Sequence, residues 1–222
     1  MGASAAIFTF QNKCPYTIWP ATSSGAGKPP LVNGGFQLGP AQAATINAPT
    51  GWSGRFWARI GCTFAPSGKG RCATGDCGGV LQCNRAGSIP PASLAEFTLN
   101  GTQDFYDVSL VDGFNLPISI FPSGGTRNCG SVICAADLNR ACPPVLVVAA
   151  GNGARVACKS ACLAFHQPQY CCTGAFNSPT KCKPTSYSQI FKRVSPTAYS
   201  YPFDDPTSTF TCKGANYGIT FC

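Results

Sequence analysis

The sequence predicts a mainly β protein, a sandwich or barrel held together by disulfides. Three observations carry this: short apolar runs that alternate with polar residues, frequent Gly and Pro between them, and fifteen cysteines in 222 residues. Alternation is the signature of a strand with one buried face, and many short strands cut by turn residues indicate a sandwich or barrel. The length suits one large domain or two modest ones.

The first strand is "AIFTFQN", where Phe8 and Phe10 alternate with Ile7 and Thr9. "SGRFWARIG", "LAEFTLNG", "FYDVSLVDG" and "LPISIFPSGG" follow, each ended by Gly, Pro, Asn or Asp. One segment breaks the pattern. In "ARVACKSACLAFHQPQYCC", Cys158 and Cys162 stand one helical turn apart, which predicts the chain's best helix, ending before Pro168. It lies in a cysteine-dense region from Ala136 to Ser195 that reads as a separate lobe. No repeat and no long linker interrupts the chain.

So many cysteines point to an oxidising compartment, and secretion is the expectation. Ala3-Ser4-Ala5 has the small-residue form of a signal cleavage site, with Ala6 as the mature start, although a cloning remnant reads equally well. Ala6 stands where a myristoylation signal needs Ser or Thr. No apolar run approaches the roughly 20 residues that span a bilayer, so a soluble protein is expected.

The net charge of +8 raises nucleic-acid binding, but the basic residues are scattered. Their densest cluster is Lys181, Lys183, Lys192 and Arg193, without an aromatic-basic ladder or zinc-finger spacing. Nucleic acid is therefore not expected. The charge fits solubility and attraction to anionic cell-wall or membrane surfaces. Cysteine spacings do not match zinc knuckles, and His166 is the only histidine, with no G-x-S-x-G elbow, so neither a metal, a cofactor nor a Ser/His/Asp centre is expected. Asn100-Gly101-Thr102 permits glycosylation, whereas proline blocks Asn177-Ser178-Pro179.

"GKGRCATGDCGGVLQC", from Gly68 to Cys83, resembles the signature of the thaumatin-like proteins, a plant pathogenesis-related family. "NKCPYTIWP", "SLVDGFNLP", "QYCCTG", "YPFDDPTSTFTC" and "YGITFC" resemble further family segments in the same order, and the chain is most similar to the larger fruit-type members. The resemblance implies a thaumatin-like antiparallel β-sandwich with two inserted disulfide-rich lobes. Residues 1–59, 92–135 and 196–222 would form the sandwich, 60–91 a small loop lobe and 136–195 a helix-containing lobe. It also implies the pairs Cys14–Cys222, Cys62–Cys72, Cys77–Cys83, Cys129–Cys212, Cys142–Cys158, Cys162–Cys171 and Cys172–Cys182. The chain is one cysteine short of the family pattern, with Ser195 where that partner would stand. Cys134 is then a free thiol, read as buried and inert.

The acids are sparse, eight against sixteen Lys and Arg, and Asp107 and Asp112 fall five residues apart. On a strand Tyr106, Val108 and Leu110 share one face, and Phe105, Asp107, Ser109 and Val111 the other. Asp112-Gly113 reads as a turn, and Glu96, the sole glutamate, also alternates with Phe97 and Leu99. The plain reading makes these solvated outward positions. The family resemblance instead implies an acidic cleft that maps onto Arg55, Glu96, Asp107, Asp112 and Asp204, with Asp205 less favoured than its neighbour. Clustered carboxylates with split pKa values suit a glycosidase, and equally suit sugar binding without cleavage. Phe114, Tyr199 and Tyr201 are candidate stacking aromatics.

The implied function is a secreted antifungal defence protein, apoplastic or vacuolar and monomeric, binding fungal cell-wall β-1,3-glucan or a related carbohydrate. A weak endo-β-1,3-glucanase with Glu96 as general acid and Asp112 as its partner is the alternative. The basic surface raises a third reading, a membrane-perturbing protein.

Overall fold

The computed structural model describes residues 4–222, so Met1 to Ala3, and with them the start of the proposed cleavage motif, lie outside the described residues. Two five-stranded sheets stack face to face. One contains β1 (Ser4–Asn12), β3 (Ala43–Pro49), β9 (Ile118–Ser123), β10 (Val132–Cys134) and β14 (Asn216–Phe221), in the spatial order β10-β9-β14-β1-β3 once β2 (Trp19–Ser24), β4 (Ser53–Arg59), β7 (Leu94–Thr98), β8 (Asp104–Ser109) and β13 (Phe210–Cys212) are assigned to the other, which runs β13-β8-β7-β4-β2. Within these sheets every pair is antiparallel except β1 with β14, which run parallel.

The alternation read from sequence is what makes the sandwich. Phe8 and Phe10 are fully buried whereas Ile7 keeps 36% of its surface. Phe8 meets Phe56 and Phe97 edge-on, each at 4.8 Å, and Phe97 meets Tyr217 at 5.1 Å, so both inner faces share one aromatic core. Such edge-to-face pairs add to the area they bury.

The outer face of the β2-β4-β7-β8 sheet is half covered. Ala21, Trp57 and Leu94 form a second apolar cluster with Cys77, Cys83 and Val80 of the segment 60–91. That segment contains the short hairpin β5 (Thr63–Phe64) and β6 (Gly70–Arg71), closed by Cys62–Cys72. Arg59 anchors it. Fully buried, Arg59 donates from Nη1 to Val80 O at 2.8 Å, from Nη2 to Leu81 O at 2.8 Å and from Nε to Trp19 O at 3.1 Å.

The segment 136–195 carries α1 (Leu138–Ala141), the hairpin β11 (Val147–Ala149) and β12 (Arg155–Cys158), α2 (Ala161–Phe165), α3 (Pro168–Cys171) and α4 (Ser186–Val194). The helix expected across Cys158 and Cys162 is therefore corrected. Cys158 ends a strand paired to Val147, and the helix starts only at Ala161, with Ser160 Oγ accepting from Leu163 N. Pro168 opens the next helix rather than merely ending the last. The longest helix is α4, which starts on a Thr185/Ser188 capping box. Leu138, Leu146, Cys158 and Phe191 join the sandwich core. A last short helix, α5 (Asp205–Ser208), precedes β13.

Seven disulfides join Cys14–Cys222, Cys62–Cys72, Cys77–Cys83, Cys129–Cys212, Cys142–Cys158, Cys162–Cys171 and Cys172–Cys182. These are the pairs that the family resemblance implies. Cys134 is free and buried, its Sγ 2.7 Å from Ser195 Oγ. Burial pushes its thiol up, against smaller pulls from Ser195 and the Ile118 backbone, which keeps it protonated and unreactive. Among the described residues no helix is long and apolar enough to cross a membrane.

Candidate carbohydrate site on the outer sheet face

Register explains why a few acids meet. Arg55 on β4 pairs with Glu96 on β7, and Glu96 pairs with Asp107 on β8. Residues directly opposite in antiparallel strands point to the same face. Their neighbours Phe56, Phe97, Tyr106 and Val108 fill the core, so Arg55, Glu96 and Asp107 form one row on the outer face. The row begins where the cover of the segment 60–91 stops.

A cleft of about 400 Å³ opens over this row, within the roughly 300–1,000 Å³ usual for small-ligand sites. Its wall is formed by Ser109, Val111, Asp112, Tyr199, Pro202 and Asp205. Asp112 is carried by the turn expected from sequence: Gly113, at φ +84°, returns its N–H to Leu110 O, and a Cβ there would lie 2.6 Å from Cys158 O. Tyr199 runs beside β8, donating its N–H to Val108 O at 2.8 Å and accepting from Leu110 N at 2.9 Å. Its hydroxyl donates to Asp205 Oδ1 at 3.1 Å and also meets Thr209 Oγ1.

The electrostatics are uneven along the row. Arg55 Nε lies 3.5 Å from Glu96 Oε1, in a pair that keeps a third or more of each side chain in water, so its own stabilisation is small. Burial pushes the Glu96 carboxyl up, Arg55 draws it back, and Asp112 adds to the rise. Asp107 goes further. Burial first, then the facing Glu96, push it up to about 8, with Asp205 adding and Arg55 opposing. Its Oδ1 is buried without a hydrogen-bond partner. A carboxylate so placed is costly, and holding a proton relieves that cost. Asp112 is raised by burial and drawn down by Arg55.

Four of the five acidic-cleft positions expected from the sequence, Arg55, Glu96, Asp107 and Asp112, line this cleft. Asp204 does not. Its carboxylate accepts from Ser200 N at 3.0 Å, Ser200 Oγ at 2.8 Å and Thr207 Oγ1 at 3.1 Å, and pairs with Lys192 Nζ at 3.0 Å. Asp204 thus ties the Tyr199–Asp205 segment to α4, and the less favoured Asp205 is the one that faces the cleft. Phe114 is fully buried in the core and offers no face to a ligand. Tyr199 lines the cleft, while Tyr201 borders a narrow neighbouring cavity of about 20 Å³. Ser109 and Val111, which alternation places on the same face as Asp107, line the cleft with it. Among the described residues no group of His, Cys, Asp and Glu is placed to hold a metal.

Fold and site define a disulfide-stapled β-sandwich with a carboxylate-lined cleft on one outer sheet face. The chain belongs to the thaumatin family, whose profile matches residues 12–222. It is 58% identical over 220 residues to pathogenesis-related thaumatin-like protein 3.5 of Cryptomeria japonica, covering 99% of this chain and 91% of that one. It is 52% identical over 225 residues to a Prunus avium protein named glucan endo-1,3-beta-glucosidase, covering 100% of this chain and 92% of that one. In three dimensions it is similar to a laminaripentaose-producing β-1,3-glucanase in complex with laminaritetraose, with a TM-score of 0.69, 12% identity and 99% of each chain covered. At that identity the likeness is one of fold.

Proposed function

We propose that this protein is a secreted plant defence protein that binds β-1,3-glucan of fungal cell walls in the cleft over Arg55, Glu96 and Asp107. The carrying observation is the alignment of those three side chains across adjacent strands. A row of this kind offers a neutral polymer both kinds of hydrogen bond. The Glu96 carboxyl accepts from sugar hydroxyls, Arg55 donates, and Asp107, its carboxyl pushed up to about 8, donates as well. The heavy disulfide content supports an oxidising, extracellular setting.

Hydrolysis is the second reading, favoured by the upward push that burial and Asp112 give the Glu96 carboxyl, which suits a general acid, and by the name of the Prunus avium relative. A glycosidase needs one carboxyl that keeps a proton and one that does not. Glu96 and Asp112 remain the proposed working pair, with Asp107 as the neighbour that holds a proton beside Glu96.

Incubation with insoluble linear β-1,3-glucan, scoring retained protein and new reducing ends, separates the readings. Asp107→Asn with Asp112→Asn weakens retention while leaving any binding to anionic vesicles unchanged. If the parent releases reducing ends, Glu96→Gln lowers that rate about 10²-fold or more with retention intact. Unchanged retention in the double variant would move the site out of the cleft. Retention without reducing ends would leave binding alone.

A further inference from the structure

We propose that the polysaccharide site continues past the acidic row onto a neutral arm formed by Ser53, Thr98 and Phe105, where the Phe105 ring stacks on a further sugar residue. This rests on the reading of the cleft as a glucan site and deepens it. The same registers that align the acids align this arm, because Ser53 pairs with Thr98 and Thr98 with Phe105. Each lies two residues from its acidic-row neighbour on the same strand, so the second row runs parallel to the first about 7 Å away.

A cavity of about 270 Å³ covers the arm, and Arg55, Glu96 and Asp107 line it as well as the acidic cleft. The two hollows are one trough with a shared floor. Beyond Arg55, Glu96 and Asp107 its lining carries no charged side chain and includes Ser23, Ser24, Gly25, Ser53, Thr98 and Phe105. Gly25 keeps the arm open, since a Cβ there would lie 2.6 Å from Ser53 Oγ.

Phe105 is the unexplained member. It keeps 41% of its surface exposed on a sheet whose inner face already holds Phe56, Phe97 and Tyr106, and among the described residues no aromatic ring packs against it. A half-exposed ring flanked by hydroxyls matches a pyranose, which presents an apolar C–H face rimmed by hydroxyl groups. Neutral hydroxyls and one ring suit a neutral sugar, and continuity with the acidic row makes that sugar part of the same polymer.

The test is a length series of soluble linear β-1,3-gluco-oligosaccharides, a trisaccharide and a heptasaccharide, titrated by calorimetry against the parent, Phe105→Ala and Phe105→Tyr. The parent is expected to bind the heptasaccharide at least about fivefold more tightly than the trisaccharide, a gain of the size that one aromatic contact supplies. Phe105→Ala removes that gain and leaves trisaccharide affinity within about twofold; Phe105→Tyr, which keeps a stacking face, retains it. A Phe105→Ala protein that keeps the full gain overturns the arm, as does one that loses both ligands equally. If the parent binds neither oligosaccharide, the glucan reading itself falls and the arm falls with it. If the parent binds both equally, the arm alone is refuted.

Discussion

Replacing Ser195 with Cys should create an eighth disulfide and stabilise the fold. Cys134 ends the edge strand β10 and Ser195 caps the C-terminus of α4; both are fully buried, with Sγ and Oγ 2.7 Å apart and 61 residues between them in sequence. A disulfide needs about 2.05 Å between sulfurs, so the present spacing is close to bonding geometry. Chain entropy for a loop of this length gives about 4 kcal/mol. Three existing bridges, Cys142–Cys158, Cys162–Cys171 and Cys172–Cys182, lie inside the loop and shorten its path to about 30 residues, which lowers the figure to about 3.5 kcal/mol. Fitting sulfur where oxygen sits in a sealed site takes back about 1 kcal/mol. The expected gain is therefore about 2–3 kcal/mol, read as a shift in guanidinium midpoint at constant slope. Thiol counting on denatured, unreduced protein should find one sulfhydryl in the parent, mapped to Cys134, and none in the variant. An oxidised variant without its two thiols but with an unchanged midpoint would refute the loop-entropy argument; two persistent thiols would refute the geometry.

Asp107→Asn tests the cleft electrostatics without any ligand. With Asp107 at about 8 in the folded protein and near 3.9 unfolded, the folded state holds a proton that the unfolded chain releases between those values, so stability falls as pH rises through that window, by at most about 1.4 kcal/mol per unit. The parent and Asp107→Asn should thus differ more at pH 8 than at pH 4, in favour of Asn, in urea melts at both pH values; an equal difference would contradict the raised pKa. Arg59→Lys should cost about 2–4 kcal/mol in the same assay, because one ammonium cannot serve the Trp19, Val80 and Leu81 carbonyls that the guanidinium fork now satisfies. A cost below 1 kcal/mol would show that the Cys62–Cys72 and Cys77–Cys83 bridges hold the segment without Arg59.

What the sequence disclosed depended on whether the signal was local. Phe8 and Phe10, or Tyr106 and Val108, bury as their alternation requires, and the same alternation turns Asp107 outward. Cys158 misled because its spacing from Cys162 matches a helical turn, while pairing with Val147 and the bond to Cys142 hold it in a strand. Tertiary partners there override a local pattern. The helix α4 went unread because Ser, Tyr, Phe and Val are weak helix formers, yet Thr185 and Ser188 spelled its cap. Asp204 and Asp205 are adjacent, so sequence alone could not say which one α4 would claim. Lys192 decides it, by reaching Asp204 and leaving Asp205 to the cleft.

On the proposed function, the outer face of the β4-β7-β8 sheet recognises β-1,3-glucan. A second open trough lies on the opposite sheet's outer face, lined by Thr9, Gln11, Lys13, Phe121 and Thr220, and provides an internal comparison. Titration of isotope-labelled protein with a soluble β-1,3-gluco-oligosaccharide, followed by backbone amide shifts, distinguishes the two. Saturable shifts are expected at Ser53, Arg55, Glu96, Thr98 and Asp107, with Thr9, Gln11 and Phe121 unmoved. Shifts confined to the opposite trough, or no saturable shift at the acidic row, would contradict the proposed function.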